Sequence, residues 1–432
     1  MPTAVVLFTR DLRVRDNPAL AAAAREFRQV VPLFVLDDAL RVGPHAGNRR
    51  FEFLLAALIG LDHELRARGG RLVVRRGDVV AETVRVAREV GATDVFLNAD
   101  ASAFAHRRER QLGKALRLHA FDGMTVVPLG GLRTRVDVPY RVFTPYARSW
   151  KDLTWRNLQP PPGRIDVPAV DSHQLETSVM GGEPVARRQL RAWLDRGVHG
   201  YAQRDRVDLD ATSRLSPWLH LGCLSPLELA LEAQEHGADA FVRQLCWRDF
   251  YAQLLHHQPS LQHEDLNPRT LEWSDDPETF DAWREGRTGI PIVDAGMRQL
   301  LQEGWMHNRA RLITASFLVK DLLIDWRVGA AHYYEQLLDG DVANNSGNWQ
   351  WIAGSGVDPR PYRRVYNPVL QARRHDPLGD YVRRYVPELS ELAEEIHEPW
   401  VLGERRLGEL GYPPPIVDHG EAARRYRALV QA

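Results

Sequence analysis

Between Gly304 and Trp351 the chain places amides, acids and indoles at helical spacing. Asn308, Arg311 and Leu312 fall three and four residues apart, so on a helix they share one face. Asp341, Asn345 and Trp349 repeat that spacing beside Asp339 and the amides Asn344, Asn348 and Gln350. Two such faces could close on one ligand rich in hydrogen-bond donors and acceptors. The plainer reading of any single residue is a helix cap or a solvated face, because Asp and Asn cap helices readily. The whole set exceeds what capping requires.

Three further groups could do chemistry. Thr212-Ser213-Arg214-Leu215-Ser216-Pro217 puts three hydroxyls and an arginine ahead of a predicted helix, a pattern suited to an anion such as pyrophosphate. In the run from Gln244 to Tyr251, an amide, an indole, a guanidinium and a phenol (Gln244, Trp247, Arg248, Tyr251) share a face that could wall a flat heteroaromatic ligand. An amphipathic helix with a packed Trp and a snorkelling Arg reads equally well. Arg360, Arg363, Arg364, Arg373 and Arg374 lie among Pro361, Tyr362, Tyr366 and Pro368, as phosphate contact near an unstacked base would want.

The elements that must position these residues change character along the chain. Apolar runs at 4–8, 30–36, 71–75 and 94–97 alternate with helical periodicity at 18–24, 50–68 and 79–90. That order predicts a parallel sheet covered on both faces, with ligands met at the strands' carboxyl ends. No G-x-G-x-x-G follows the first strand, which disfavours a conventional dinucleotide site there. Residues 132–186, with Pro160, Pro161, Pro162 and Gly163, read as a connector, and helix follows helix from 187 to the end.

Composition narrows the class. The 432 residues suffice for two domains. Fifty-six basic side chains balance 57 acidic ones, so a nucleic-acid site must be a local patch. Two cysteines, Cys223 and Cys246, suggest neither a disulfide framework nor a metal site. With no basic and apolar leader and no membrane-length apolar run, the expectation is a soluble cytoplasmic monomer.

Taken together, TSRLSP, LCWRDFY, GWMHNR, LVKDLLIDWR and LDGDVANNSGNWQW with DPRPYRRVYNP resemble the photolyase and cryptochrome flavoprotein family, most closely its class I microbial cyclobutane pyrimidine dimer photolyases. The opening VVLFTRDLRVRDNPAL extends the resemblance over nearly the whole chain. It implies a Rossmann-like α/β antenna domain at 1–131, a connector at 132–186 and an all-α FAD-binding and DNA-binding catalytic domain at 187–432.

The resemblance assigns Tyr201, Thr212, Ser213, Arg214, Leu215 and Ser216 to the FAD phosphate side, and Trp247, Arg248, Asn308, Arg311, Asp339, Asp341 and Asn345 to the ribityl and ring system. Asn345 takes the place of the amide facing flavin N5, where it can accept or donate. The implied activity is light-driven repair of pyrimidine dimers in damaged DNA, with the lesion flipped out of the duplex, as photolyases do. Trp349, Trp326 and Trp273 match the family's electron relay. Gln244, Trp247, Asn308, Leu312 and Trp351 match the lesion contacts, and Arg360 and Arg364 the DNA contacts.

Two departures stand out from that pattern. Gln244 replaces the usual glutamate and Leu312 a methionine. Glutamine at that position also occurs in (6-4) photolyases, but those require a histidine pair where Asn308 and Leu312 stand here. A signalling cryptochrome is the other alternative, although the long tail common in that role is not seen after the helical region. For the antenna, Arg50 and Asp100 resemble deazaflavin contacts, and Ala105 stands where folate-binding relatives have a glutamate, so 8-hydroxydeazaflavin is expected. A surface salt bridge would account for either Arg50 or Asp100 equally well.

Overall fold

The computed structural model describes residues 2–40, 48–175, 177, 179–209, 211–268, 271–357 and 364–430. Packing divides the chain into two compact units. The first comprises Met1–His199, Ser213–Ser260 and Asp341–Asn344; the second comprises Gly200–Thr212, Leu261–Gly340 and Asn345–Ala432.

The first unit opens with β1 (Thr3–Leu7), α1 (Pro18–Glu26), β2 (Gln29–Leu36), α2 (Asn48–Arg66), β3 (Val73–Arg76), α3 (Val79–Glu89), β4 (Asp94–Asn98), α4 (Ala103–Ala115) and β5 (Arg117–Phe121). All strand pairs are parallel, in the order β3-β2-β1-β4-β5. The predicted runs at 4–8, 30–36, 71–75 and 94–97 are β1 to β4. Every residue of β1 is buried, as a central parallel strand covered on both faces requires. β5 had no strand signature because it is an edge strand, half open to solvent, and its RLHAF sequence carries the polar residues an edge tolerates. Helix starts follow side-chain caps: Asn17 accepts from the Leu20 N–H ahead of α1, Asp78 from Ala81 ahead of α3, and Ser102 from Ala105 ahead of α4.

The stretch expected to be pure connector contains a helix, α5 (Phe143–Asp152), which buries Phe143, Tyr146 and Trp150. It is followed by α6 (Gly182–Arg196), α7 (Ser216–His220), α8 (Pro226–Glu235) and α9 (Asp239–His257). The grouping by packing differs from the sequence limits at 131 and 187, because these helices belong to the sheet-containing unit. Backbone approach at Gly60 shows how tightly: a methyl group there would lie 2.2 Å from the Gly181 carbonyl oxygen, so α2 and the start of α6 meet without intervening side chains.

The second unit contains α10 (Pro277–Arg284), α11 (Pro291–Glu303), α12 (Asn308–Ser316), a π-helical turn at Phe317–Asp321, α13 (Trp326–Gln336), α14 (Val342–Ala353, whose first three residues belong to the first unit), α15 (Pro368–His375), α16 (Asp380–Tyr385), α17 (Glu404–Leu410) and α18 (His419–Leu429). No strand occurs in it among the described residues, in accord with the helical expectation. Its core gathers Trp283, Met297, Met306, Phe317, Trp326, Tyr333 and Trp349. Among the described residues no helix is long and apolar enough to cross a membrane, and no cluster could hold a metal ion.

Candidate functional site

In the first unit successive strands step one way from β1 (to β2 and β3) and the other way from β4 (to β5), and between β1 and β4 doubly wound sheets leave a crevice. The residues that leave these two strands there are charged. Arg10 places Nε and Nη2 on the two oxygens of Asp100 (2.9 and 3.0 Å), and its Nη1 donates to Asp341 over 2.6 Å. Burial by itself would raise Asp341, but Arg10, Arg248 and His220 outweigh it and hold the carboxyl well below the usual range. Asp341 also accepts from the backbone and side-chain N–H groups of Asn344, at 2.9 and 2.8 Å, and so caps the start of α14. Nearby Arg108 is buried, yet its Nε and Nη2 have no hydrogen-bond partner; the same is true of Thr9 Oγ1.

Of the two antenna candidates, Asp100 therefore lies at the switch point with both oxygens engaged by Arg10, and Arg50 sits half-buried near the start of α2. Sequence reasoning missed Arg10 and Arg108. Their partners lie far along the chain, and no local pattern reports them.

On α9, Gln244 and Trp247 are half-buried. Trp247 stacks face to face on Phe143 of α5, centroids 3.5 Å apart and planes within 6°. The Arg243 guanidinium lies 4.8 Å from the same Phe143 ring. The expected four-residue wall is only partly formed, because Arg248 donates inward to the Met124 carbonyl (2.7 Å) and Tyr251 is buried behind Trp247 at 5.7 Å. Asp249 between them is structural, accepting from the Val126 and Val127 N–H groups and from Trp150 Nε1.

The hydroxyl-rich segment is built differently from a helix-capping motif. α7 is a single five-residue turn, and no side chain caps it. Instead Arg214 adopts φ +51°, a region rare for residues with a side chain, and Gln189 steadies the bend by donating to the carbonyls of Ser213 and Arg214 at 3.2 and 3.0 Å. Ser213 Oγ accepts weakly from Leu215 at 3.4 Å; Leu215 is buried and Ser216 is partly exposed.

In the second unit, Tyr201 is buried with the Arg204 guanidinium 5.5 Å from its ring. Thr212 Oγ1 is buried with no hydrogen-bond partner. His307 Nδ1 caps α12 by accepting from Arg309 N–H at 3.1 Å, which leaves Asn308 exposed on the first turn. Arg311 grips both oxygens of Asp339 (3.1 and 2.9 Å) and donates through Nε to the Met306 carbonyl, while Leu312 packs half-buried on the core. Asn345 donates Nδ2 to the Ala330 carbonyl at 2.9 Å, which pins the amide and fixes where its Oδ1 points. Asn308, Arg311 and Leu312 do share α12, as expected.

Trp349 is 2 % exposed. Its ring meets Tyr333 edge-on at 4.9 Å and Trp283 at 6.3 Å. Gly329 allows this packing: a methyl group there would sit 2.3 Å from Trp349 Cη2. Trp326 is fully buried in the same core, bonds Asp265 through Nε1 at 2.8 Å, and carries Arg327 4.9 Å above its ring; Trp273 is partly buried against that core. Trp351 is half-buried, and Arg364 projects outward with its guanidinium 5.1 Å from the Tyr366 ring. Arg360 lies outside the described residues.

In the second unit an unpartnered Thr212 hydroxyl, the Arg311–Asp339 pair and the pinned Asn345 amide are groups a flavin dinucleotide can use for its phosphates, ribityl chain and ring; in the first, the Arg214 bend and the Arg10-held Asp341 carry the same chemistry. The chain thus has the side chains of a flavin-binding protein carried on an α/β unit and a helical unit. A family model described as the FAD binding domain of DNA photolyase matches residues 241–432, and one described as DNA photolyase matches 4–164. The chain belongs to the DNA photolyase family and is an FAD-binding enzyme of the lyase class.

A deoxyribodipyrimidine photo-lyase of Streptomyces griseus is 47% identical, the match covering 99% of this chain and 98% of the relative. A bacterial class III photolyase from Agrobacterium tumefaciens superposes with a TM-score of 0.92 at 35% identity, over 100% of this chain and 97% of that one. A cryptochrome from Synechocystis superposes with a TM-score of 0.91 at 27% identity, over 99% of each.

Proposed function

We propose that this protein reverses cyclobutane pyrimidine dimers in DNA by light-driven electron transfer. The observation that carries the reading furthest is the presentation of Trp247: one indole, backed face to face by Phe143 at 3.5 Å, is held rigid yet remains half-buried. A flipped pyrimidine dimer needs such a flat apolar platform.

When bound, FAD supplies light absorption and a transferable electron. The chain's own residues bind, orient and keep dry. Tyr201, Thr212, Ser213, Arg214, Leu215 and Ser216 would hold the phosphates, and Trp247, Arg248, Asn308, Arg311, Asp339, Asp341 and Asn345 the rest of the dinucleotide. Asn345, whose Nδ2 is pinned by the Ala330 carbonyl, would offer its free oxygen to a flavin N–H. Trp247 and Trp351 pack on the lesion, Asn308 and Gln244 donate hydrogen bonds to it, and Leu312 supplies apolar contact. Gln244 cannot give up a proton as a carboxylic acid can, so it steadies a developing negative charge by hydrogen bonding alone. Trp349, Trp326 and Trp273 relay electrons inward, and Arg360 and Arg364 contact DNA phosphates.

The antenna proposed for residues 1–131 is 8-hydroxydeazaflavin, with Arg50 and Asp100 among its contacts. The switch-point position and the buried Arg108, whose Nε and Nη2 make no hydrogen bond although Nη2 lies 3.6 Å from Glu109, support a ligand there. Residues 132–186 are proposed as the link to the catalytic region, 187–432. Pigment extracted from protein made in a deazaflavin-producing host tests the antenna; a folate spectrum overturns it.

The likeness to the Synechocystis cryptochrome favours light signalling as the second reading. Reduced protein incubated with a dimer-containing oligonucleotide under near-UV or blue light separates the two. Restoration of intact pyrimidines is expected, and none would leave signalling. Substituting Gln244→Glu and measuring repair per absorbed photon tests the role of that amide: a raised yield is expected, and an unchanged one would remove Gln244 from the charge-stabilising set.

A further inference from the structure

The helical run after α12 widens into a π-type turn at Phe317–Asp321, a geometry that gathers at functional sites. It carries Lys320, one of the chain's three lysines, Lys114, Lys151 and Lys320. Lys320 is 1 % exposed. Burial pulls its ammonium down to about 7, with Asp321 opposing in part. Nζ donates to the main-chain carbonyl of Arg364 over 2.7 Å and lies 5.7 Å from the centre of the Tyr426 ring.

Helix α18 closes the other side of the turn. His419 Nδ1 is 2.5 Å from Asp321 Oδ1, Arg425 donates to the Asp321 carbonyl at 2.9 Å, and Tyr426 and Val430 pack with Leu323, with Leu271 and Val365 against them. Leu323 turns through φ +56° to enter this small core. A buried amine is costly to place, and a surface arginine could be carried on ordinary coil. Here the amine donates to the backbone oxygen of Arg364, whose side chain stands exposed beside Tyr366.

We infer that Lys320 is a positioning residue for DNA: by holding the Arg364 carbonyl it fixes the backbone at 364–366, so that the Arg364 guanidinium is presented to a phosphate. This rests on the DNA-repair reading above. Lys320 itself touches no nucleic acid. Its loss should therefore remove a phosphate contact that belongs to a different residue.

The test uses the FAD-loaded protein and a duplex bearing one cyclobutane thymine dimer, with binding measured in the dark by fluorescence anisotropy across a salt series. Arg364→Ala is expected to weaken binding about 10-fold and to flatten the log–log salt slope by about 1. Lys320→Met is expected to reproduce both changes with flavin absorption intact, and the double variant to add little to either single one. A lysine that merely stabilised the fold would lower the active fraction and leave the salt slope alone. Wild-type affinity and slope in Lys320→Met, or full multiplication of the two effects, overturns the inference.

Should Lys320→Met lose its flavin, hydrogen exchange of the unmodified protein decides. Dimer DNA is expected to slow exchange at 318–322 and at 364–366 together, and protection that spares 318–322 overturns the proposal. Wild-type protein that does not discriminate dimer DNA from undamaged duplex overturns the repair reading itself and this inference with it.

Discussion

Two buried acids of the first unit, Asp100 and Asp341, are held by cations, whereas two of the second, Asp294 and Asp376, are held by dipoles. Asp100 and Asp341 face Arg10, with Arg248 behind, and both are depressed despite burial. Asp294 and Asp376 in the second unit receive only neutral hydrogen bonds: Asp294 from Thr288, Gly289 and Tyr412, and Asp376 from the N–H groups of Tyr381 and Val382. Burial pushes both up to about 6. The aromatic groups differ in the same way. Trp247 is displayed on a stacking partner, and Trp349 is sealed by Tyr333, Trp283 and the gap at Gly329. One region is arranged to meet charged or flat ligands; the other keeps an oxidisable ring away from water.

The largest effect should come from Arg10→Met, which leaves two buried carboxylates without their cation. A loss of about 3 kcal/mol is expected, read by denaturant unfolding, together with weakened FAD retention read from the visible spectrum. Wild-type stability would remove the charge-held half of the comparison. Gly329→Ala comes next: the added methyl must displace Trp349 or Leu318, whose nearest atoms stand 2.3 and 2.5 Å away. Overpacking should cost about 2 kcal/mol and slow light-driven flavin reduction, and an unchanged photoreduction rate would mean that the seal around Trp349 is not needed.

Phe143→Leu should be milder for stability, about 1 kcal/mol, but should weaken dimer binding several-fold while leaving flavin content unchanged. Equal binding would show that Trp247 orients without its stack. The smallest effect is a pH dependence. A carboxyl raised in the folded state contributes stability that is complete below the ordinary aspartate range and is lost as pH rises through about 6. The destabilisation caused by Asp294→Asn should therefore be about 1 kcal/mol greater at pH 5 than at pH 7. For Asp341 the sign reverses, its contribution being present above the ordinary range and lost as pH falls. A flat difference for Asp294→Asn would place that carboxyl with the charge-held set.

What could be read in the sequence followed the range of the interactions. β1 to β4 and the α12 face of Asn308, Arg311 and Leu312 are written in local periodicity. β5 and α5 are not, since an exposed edge strand lacks alternation and α5 buries only three residues in a proline-flanked stretch. The hydroxyl segment was recognisable as polar, but its bend depends on Gln189, more than twenty residues upstream. Arg10 was invisible as a site residue because its carboxylates lie 90 and 331 positions away.

That last separation bears on the order of synthesis. Asp341–Asn344 is the only part of the first unit that follows Ser260, so as the chain leaves the ribosome Arg10 meets Asp100 early and must wait for its second carboxylate. At roughly 5–20 residues per second, that interval lasts several seconds or more. During it the Arg10 guanidinium has one carboxylate where the finished unit gives it two, and the second arrives only after about half of the neighbouring unit has been made.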